Sequence, residues 1–554
     1  MPGAVQRRGR ATMTAMTDAP EALTPPTRAA KLMGAATLAS RGIGFVRIGV
    51  VAAVLGTTPL GDTYQSSSAV SNVLFELLAA GALSAVLVPT FVRHIESRDE
   101  AEAERLASSV LGLALAVLSV IALVGFLFAP RIGELIASGA PNSVVRHQKA
   151  ALATYLTRFF VFQVLLYAIG TVATAVLYAK RRFVATAMAP IANTVAVVGS
   201  LIVFRVLAGA NAGLVLSPAE RLTLALGGML GVIGFVGVPA VALARTGFRL
   251  RPRLRRPDVE LRRLLKLSTW AVLQHGGIGI LLGAAIAMGN QVRGGGGVVA
   301  YQFAFVAIMA PYAILAQPVQ TTILPELSND ADRGNLSRFA AQLRWALDNM
   351  AVLVIPVSAA IVALALPAMR VAAFGASKGG AGLLAAALAS LGLGLFPYSA
   401  FLLFARASYA LGDSKTPAII ALVTAVIGAA TMFGIGALVH GDALVGALGI
   451  GHTVAYSLGA VAMGVALRRR LGHPIFPLAL PRTALIAGAL ALAAWLIHQE
   501  IEPDQRGEAL LFLGIVGVVG GALYVGALRA IRRRMRALPP AVDLATDPDT
   551  ALDA

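Results

Sequence analysis

Fourteen predominantly apolar stretches, each longer than twenty residues, follow one another along this 554-residue chain. Their approximate limits are 31–55, 63–92, 106–129, 152–178, 183–206, 222–244, 267–290, 298–324, 347–371, 380–407, 416–438, 443–467, 476–498 and 508–531. A bilayer core of about 30 Å is crossed by about 20 apolar residues in helical form. Backbone amides in lipid must be bonded within their own segment, so continuous apolar runs of this length fold as helices. The fold class that follows is an all-α polytopic membrane protein with about fourteen transmembrane helices.

The charges agree with that map. The chain is 57% hydrophobic and 13% charged, with a formal net charge of +19. The basic residues lie at the ends of apolar runs rather than on a polar domain, which points to membrane orientation and away from nucleic acid. With the N-terminus inside, the loops on that side hold Arg93, Arg98 and Arg105, then Lys180 to Arg182, Arg245 to Lys266, Arg406 and Lys415, and Arg468 to Arg470. The opposite loops carry single basic residues such as Arg131 and Arg221. Both termini are therefore expected in the cytoplasm. Residues 1–30, polar and rich in Arg and Pro, read as a disordered cytoplasmic tail and not as a signal peptide.

The chain also repeats itself. Val88-Pro89 and Leu324-Pro325, each followed by a charged stretch and an apolar span, recur at an offset of 236 residues. Tyr178-Ala179 and Tyr409-Ala410 recur at 231. Each offset covers six spans, so the halves share an orientation, as in transporters built from parallel repeats around a central substrate site. The expected organisation is an N-terminal lobe (31–244), a basic cytoplasmic connector (245–266), a C-terminal lobe (267–470), two additional helices (471–531) and a cytoplasmic tail (532–554). The connector reads as a hinge against anionic headgroups. Segment 327–346, with Leu336, Phe339 and Leu343 at helical spacing, reads as an interfacial amphipathic helix. Gly294–Gly297 reads as a flexible outer loop or a hinge.

Charges at membrane depth are expensive and mark function. Arg41 and Arg47 lie in the first span, about 9 Å apart along a helix and about 120° apart around it, so both reach one broad cavity. Two arginines inside one span favour an anion in that cavity over snorkelling. Glu76, in the second span, pairs with one of them as a gate or simply as its counter-charge. Asp62 caps the second helix or handles ions, and Arg158 snorkels, pairs structurally or touches substrate. Gln274, His275, Asn290, Gln302, Gln317 and His452 read as interhelical hydrogen bonds. Asp413 sits in a tight turn before Pro417, with Arg406 and Lys415 as candidate partners. The chain has no cysteine and its seven histidines are scattered, so no metal site is expected. No Walker A sequence and no nucleophile–base pair stand out, so neither ATP-driven pumping nor enzymatic chemistry is expected.

At these residues the chain resembles the MurJ/MviN family of lipid II flippases, within the multidrug/oligosaccharidyl-lipid/polysaccharide exporter superfamily. The resemblance runs over roughly residues 31–470 and continues into the two additional spans. It is carried by Ser40-Arg41-Gly-Ile-Gly-Phe-Val-Arg47, Asp62 with Asn72 and Gly81, Val88-Pro89, Leu156-Thr157-Arg158, Ala189-Pro190 with Asn193, Pro325-Glu-Leu-Ser328, and Arg406 through Pro417. It implies two six-helix lobes around a cationic cavity that takes the pyrophosphate and sugar headgroup of lipid II, with Arg41, Arg47, Ser40, Asn72 and Glu76 at the cavity. It implies a groove near the last two helices for the polyprenyl tail, and alternating access driven by a monovalent ion or the membrane potential, with no cofactor. Membrane lipids and the cell-wall synthesis and division machinery are the implied partners. The chain departs from the family at Phe75 and Val306, where relatives often carry arginine. Transport of another polyprenyl-linked glycan, or drug and metabolite antiport, are the alternatives.

Overall fold

The computed structural model describes residues 28–75, 87, 88, 90–92, 94, 95, 100–254, 259–501, 503 and 505–537, without the side chains of 28–41, 75, 259–272, 274 and 531–537. Among the described residues the regular structure is helical, with no strand. The first half contains α1 (Arg28–Leu55), α2 (Pro59–Phe75), α3 (Glu100–Ile136), α4 (Ser143–Phe160), α5 (Gln163–Ala179), α6 (Val184–Ala208) and α7 (Pro218–Ala244). The second half contains α8 (Val259–Gly289), α9 (Gly297–Pro311), a π turn (Tyr312–Ala316), α10 (Gln317–Asp332), α11 (Leu336–Ala363) and α12 (Ala365–Ala372). It continues through a 3₁₀ turn (Gly375–Gly380), α13 (Ala381–Gly392), α14 (Leu395–Ala410), α15 (Lys415–Gly436) and α16 (Ala443–Leu471). A final pair, α17 (Leu480–Ile501) and α18 (Arg506–Ala537), follows.

Ten helical segments among the described residues are long and apolar enough to cross a membrane, and an eleventh forms if the pair bent by 43° at Leu393–Gly394 counts as one span. The other three apolar stretches of the sequence correspond to α1, whose described apolar part is Gly42–Leu55, to α2, and to α8 with His275–Gly289. Local chemistry sets the ends. Asn142 caps α4 through the Val145 amide at 2.9 Å, and Ser217 and Glu220 form a reciprocal capping box with Pro218 in the first turn of α7. Pro311 removes a backbone donor just ahead of the π turn, which is how a proline bends a membrane helix without stranding its carbonyls.

Three expectations change. Residues 327–346 are not a separate interfacial helix. Leu327 lies within α10, which runs on to Asp332, and Leu336, Phe339 and Leu343 lie in the first turns of α11, with Phe339 and Leu343 fully buried. The apolar period that suggested an interfacial face is the core face of a spanning helix. The connector is not a free hinge over its first part. The amides of Arg249 and Arg251 donate to Glu104 Oε1 (2.7 Å) and Ser108 Oγ (3.2 Å), and the Arg253 amide donates to the Ser108 carbonyl (3.1 Å). From Val259 the chain is already helical. Gly294–Gly297 is not a loose loop: Gly294, Gly295 and Gly296 have φ of 91°, 83° and 90°, and the turn packs on Thr57–Pro59.

In the first half, α6 packs on α7 and α1, and α3 and α2 pack on α4. In the second, α15 packs on α16 and α8, and α13 and α14 pack on α16. Each half has its own apolar cores, one around Leu156, Phe160 and Phe204, another around Phe339, Met350 and Leu403. Helix α1 departs from this division. Its Ile48 and Ala52 join a core with Tyr301, Phe303 and Leu384 of the second half, and Phe45 meets Phe303 edge-on at 5.4 Å. Large apolar side chains on the outer faces are exposed, as lipid-facing positions require, with Val206 at 79% and Val518 at 75%.

Candidate functional site

The halves meet where α1 turns into α2. Asp62, in the first turn of α2, is fully buried. Its Oδ2 accepts the Gly296 amide at 2.7 Å, and its Oδ1 accepts the Val298 and Val299 amides at 3.0 and 3.1 Å. These are the orphan donors at the start of α9, and a carboxylate there also meets the positive end of the helix dipole. Asp62 therefore caps a helix of the opposite half, not its own. Beside it, Asn290 Nδ2 donates to Ser66 Oγ at 2.8 Å across the same boundary. The fit leaves no room for side chains. A Cβ on Gly296 would lie 2.7 Å from Thr57 Cβ, and one on Gly380 would lie 2.8 Å from it. Lys149 of α4 is buried as well.

Deeper along α1, Arg47 lines a cavity of about 220 Å³ inside the first half, bounded by α1, α2, α5, α6 and α7. Tyr64, Gln65, Asn72, Tyr167 and Asn193 share the lining, and Arg47 is its one charge among the described residues. Tyr167 donates to Asn72 Oδ1 at 3.1 Å. Arg47 is half-buried and forms no ion pair with a described carboxylate. Gln65 is 6% exposed, and its Nε2 has no acceptor among the described residues. An arginine with no counter-charge among the described residues, in one lining with an unsatisfied donor, is what an anion would complete.

Of the sequence-derived candidates, Arg47 and Asn72 come together in this cavity, and Asp62 lies at the junction of the halves. Ser40 and Arg41 lie on the helical backbone of α1 with side chains outside the described residues, as does Glu76 entirely. Arg158, about four turns into α4, is exposed and stacks over the Phe126 ring at 5.3 Å. Asp413 accepts the Thr416 amide at 3.0 Å, and its ion-pair partner is Arg470 at the end of α16 (3.6 Å), rather than Arg406. Burial raises the Asp413 carboxyl, but Thr416, Arg470 and the Lys415 amide outweigh it and hold the carboxyl below its ordinary value. Pro417 is buried in the first turn of α15. Gln65 and Tyr167 escaped sequence reading, because neutral polar residues on a helix carry no sign of the partner they face. Among the interhelical candidates, Asn290 and His452 have such bonds, His452 with Tyr301 at 2.8 Å.

On the other side of the second half, α17 and α18 frame an apolar groove against α11. One section of about 600 Å³ is lined by Val362, Phe396, Leu492 and Trp495, and another of about 480 Å³ by Ile361, Leu388, Ala494 and Tyr524. A third section of about 430 Å³ carries the surface past Val357 and Ile361 to Pro311 and Ile314.

Two helical halves joined through Asp62, a polar cavity whose one described charge is Arg47 and a long apolar groove define a multi-pass membrane transporter. The fold matches solved structures of that class. One described as "Lipid II flippase MurJ, inward closed conformation" aligns with TM-score 0.70 over 91% of this chain and all of that one, at 18% identity. An inward-facing multidrug resistance MATE family transporter aligns with TM-score 0.60 over 78% of this chain and 94% of that one, at 14% identity. The family is given by sequence. The family model described as "Lipid II flippase MurJ" matches residues 51–513, and the chain belongs to the MurJ family. A probable lipid II flippase MurJ of Rhizobium tropici is 26% identical over 92% of this chain and 96% of its own length. The lipid II flippase MurJ of Burkholderia cenocepacia is 27% identical over 89% and 95%.

Proposed function

We propose that this protein carries lipid II across the bacterial plasma membrane, from the inner to the outer leaflet, for cell-wall biogenesis. The observation that carries the reading is Arg47, a guanidinium without a described carboxylate partner in a polar cavity where Gln65 offers a spare donor. A pyrophosphate supplies the missing negative charge, and charge-assisted bonds to arginine hold it. The groove along α11, α17 and α18 suits a polyprenyl tail, since its lining is almost wholly apolar. With both termini in the cytoplasm, the Asp62 junction is the outer gate, closed here. Alternation needs this gate to break while the opposite end closes, driven by an ion gradient or the membrane potential. Phe75 and Val306, neutral where relatives often carry arginine, favour as a second reading a different polyprenyl-linked glycan.

The test is transport of labelled lipid II in proteoliposomes, together with rescue of cells depleted of their own flippase. Arg47→Ala is expected to lower flipping at least tenfold while the protein still inserts and folds. Wild-type flipping of another polyprenyl glycan, with none of lipid II, would transfer the assignment to the second reading. Full activity of the Arg47→Ala protein would remove the anion role.

A further inference from the structure

His452 lies in α16, in the middle of the second half, 3% exposed. Its Nε2 shares a 2.8 Å hydrogen bond with the Tyr301 hydroxyl, and its Nδ1 is buried with no partner among the described residues. The groups that face it are aromatic. Tyr301 and Phe305 of α9 lie at ring-centroid distances of 5.4 and 5.9 Å, and Tyr456, one turn along α16, at 5.9 Å. Tyr398 of α14 stacks edge-on against Tyr456 at 4.8 Å, one ring further out.

Tyr301 stands four residues beyond Gly297, on the helix whose first amides are held by Asp62. Helix α9 is therefore fixed twice near its start, once by the opposite half and once by His452. A neutral imidazole satisfies Tyr301 with one nitrogen. A protonated imidazole carries donors on both nitrogens, and in this closed arrangement the Nδ1 donor has no acceptor. The closed form consequently rejects the proton. Any arrangement that brings water or an acceptor to Nδ1, by moving α9 against α16, accepts it.

We propose that His452 is a proton-binding site in the second lobe, and that proton uptake there favours release of α9 from the Asp62 junction. This supplies an ion for the drive left general above, and it rests on the alternating-access reading. A proton bound in the open form and given up in the closed form is the linkage an antiporter needs. The sign follows from the same preference: the closed form binds fewer protons at His452, so it is favoured at high pH and loses ground as pH falls through the ordinary histidine range near 6.5.

The experiment reads the gate without substrate. The chain has no cysteine, so spin labels on Asn211→Cys and Lys378→Cys, exposed positions on the two halves, report the separation by double electron–electron resonance in nanodiscs. Between pH 8 and pH 5.5 the wild-type population is expected to move toward longer distances, with a ratio changing by at most tenfold per pH unit. His452→Gln, which keeps a polar side chain but cannot be protonated, is expected to show the same distribution at both ends. A wild-type distribution that ignores pH overturns the proposal, as does a His452→Gln protein that retains the wild-type dependence. If His452→Gln does not fold, Tyr301→Phe decides. Removing the hydroxyl must displace the pH midpoint, and an unmoved midpoint rules His452 out. Failure to flip lipid II at any pH, with the gate still responding through His452, would strike the substrate reading and leave this one standing.

Discussion

Two aspartates in this protein perform the same chemistry with different consequences. Asp413 accepts an amide three residues away and pairs with Arg470 of its own half, in a half-buried turn. Asp62 accepts three amides 234 to 237 residues away, on a helix of the other half, with no exposure to water. Both satisfy the donors of a helix start. The local cap stabilises one turn and stays made throughout any motion of the halves. The distant cap is a joint, because the donors it satisfies belong to a body that must move away. In a transporter, a buried capping bond between lobes stabilises one conformational state rather than the fold.

The comparison can be broken most forcefully by locking the joint. Thr57→Cys with Gly380→Cys places two thiols where a Cβ on Gly380 would lie 2.8 Å from Thr57 Cβ, shorter than the ~3.5–4.5 Å a disulfide spans, so the two segments must ease apart slightly as the bond forms. Oxidation is expected to abolish lipid II flipping, and reductant to restore it. Flipping that survives oxidation would mean that this end does not open.

Removing the cap comes next. Asp62→Ala leaves three amides in a closed junction without an acceptor, at about 1–3 kcal/mol each when unsolvated. The molecule escapes most of that penalty by opening, so the expected outcome is a shift of the Asn211–Lys378 label distances away from the closed form. A small change in thermal stability should accompany it. Gly296→Ala is expected to act in the same direction by about 1–3 kcal/mol, since φ of 90° and a Cβ 2.7 Å from Thr57 both oppose it. Label distances and melting temperature check both.

The smallest effect belongs to Asp413. Asp413→Ala is expected to lower stability by about 1 kcal/mol, the worth of a helix cap, and to leave the label distances unchanged. The sign of its pH dependence follows from the depressed carboxyl. Its contribution is complete above the ordinary value of 3.8 and is lost only as pH falls below that, through the lower folded value. Melting curves measured at decreasing pH should separate wild type from Asp413→Ala by a constant gap down to 3.8, and the gap should narrow only below it.

The turn around Asp413 was readable in the sequence because its main donor lies three residues away and Pro417 marks the helix start. Even there the ion pair was missed, since Arg470 is 57 residues on and adjoins two other arginines. Asp62 was readable only as a capping residue near the start of the second span. Nothing in its neighbourhood states which helix it caps. The cavity was half legible: Arg47 announced itself as a charge in an apolar run, while Gln65 and Tyr167 became significant only once α2 and α5 were seen to face it. The Gly294–Gly297 run was only half legible, because a glycine-rich stretch signals backbone freedom equally well whether that freedom is used for motion or for a packed left-handed turn.

The sequence by itself determined the helical segments and their order. Lipid offers the backbone no hydrogen bonds, so apolar length translates directly into spanning helices, and local caps and prolines end or bend them. Only the tertiary structure decided which way the polar groups within those helices point and what they meet. A side chain's partner depends on the rotation and approach of helices hundreds of residues apart, and the apolar pattern, satisfied by lipid and by neighbouring helices alike, does not specify that rotation.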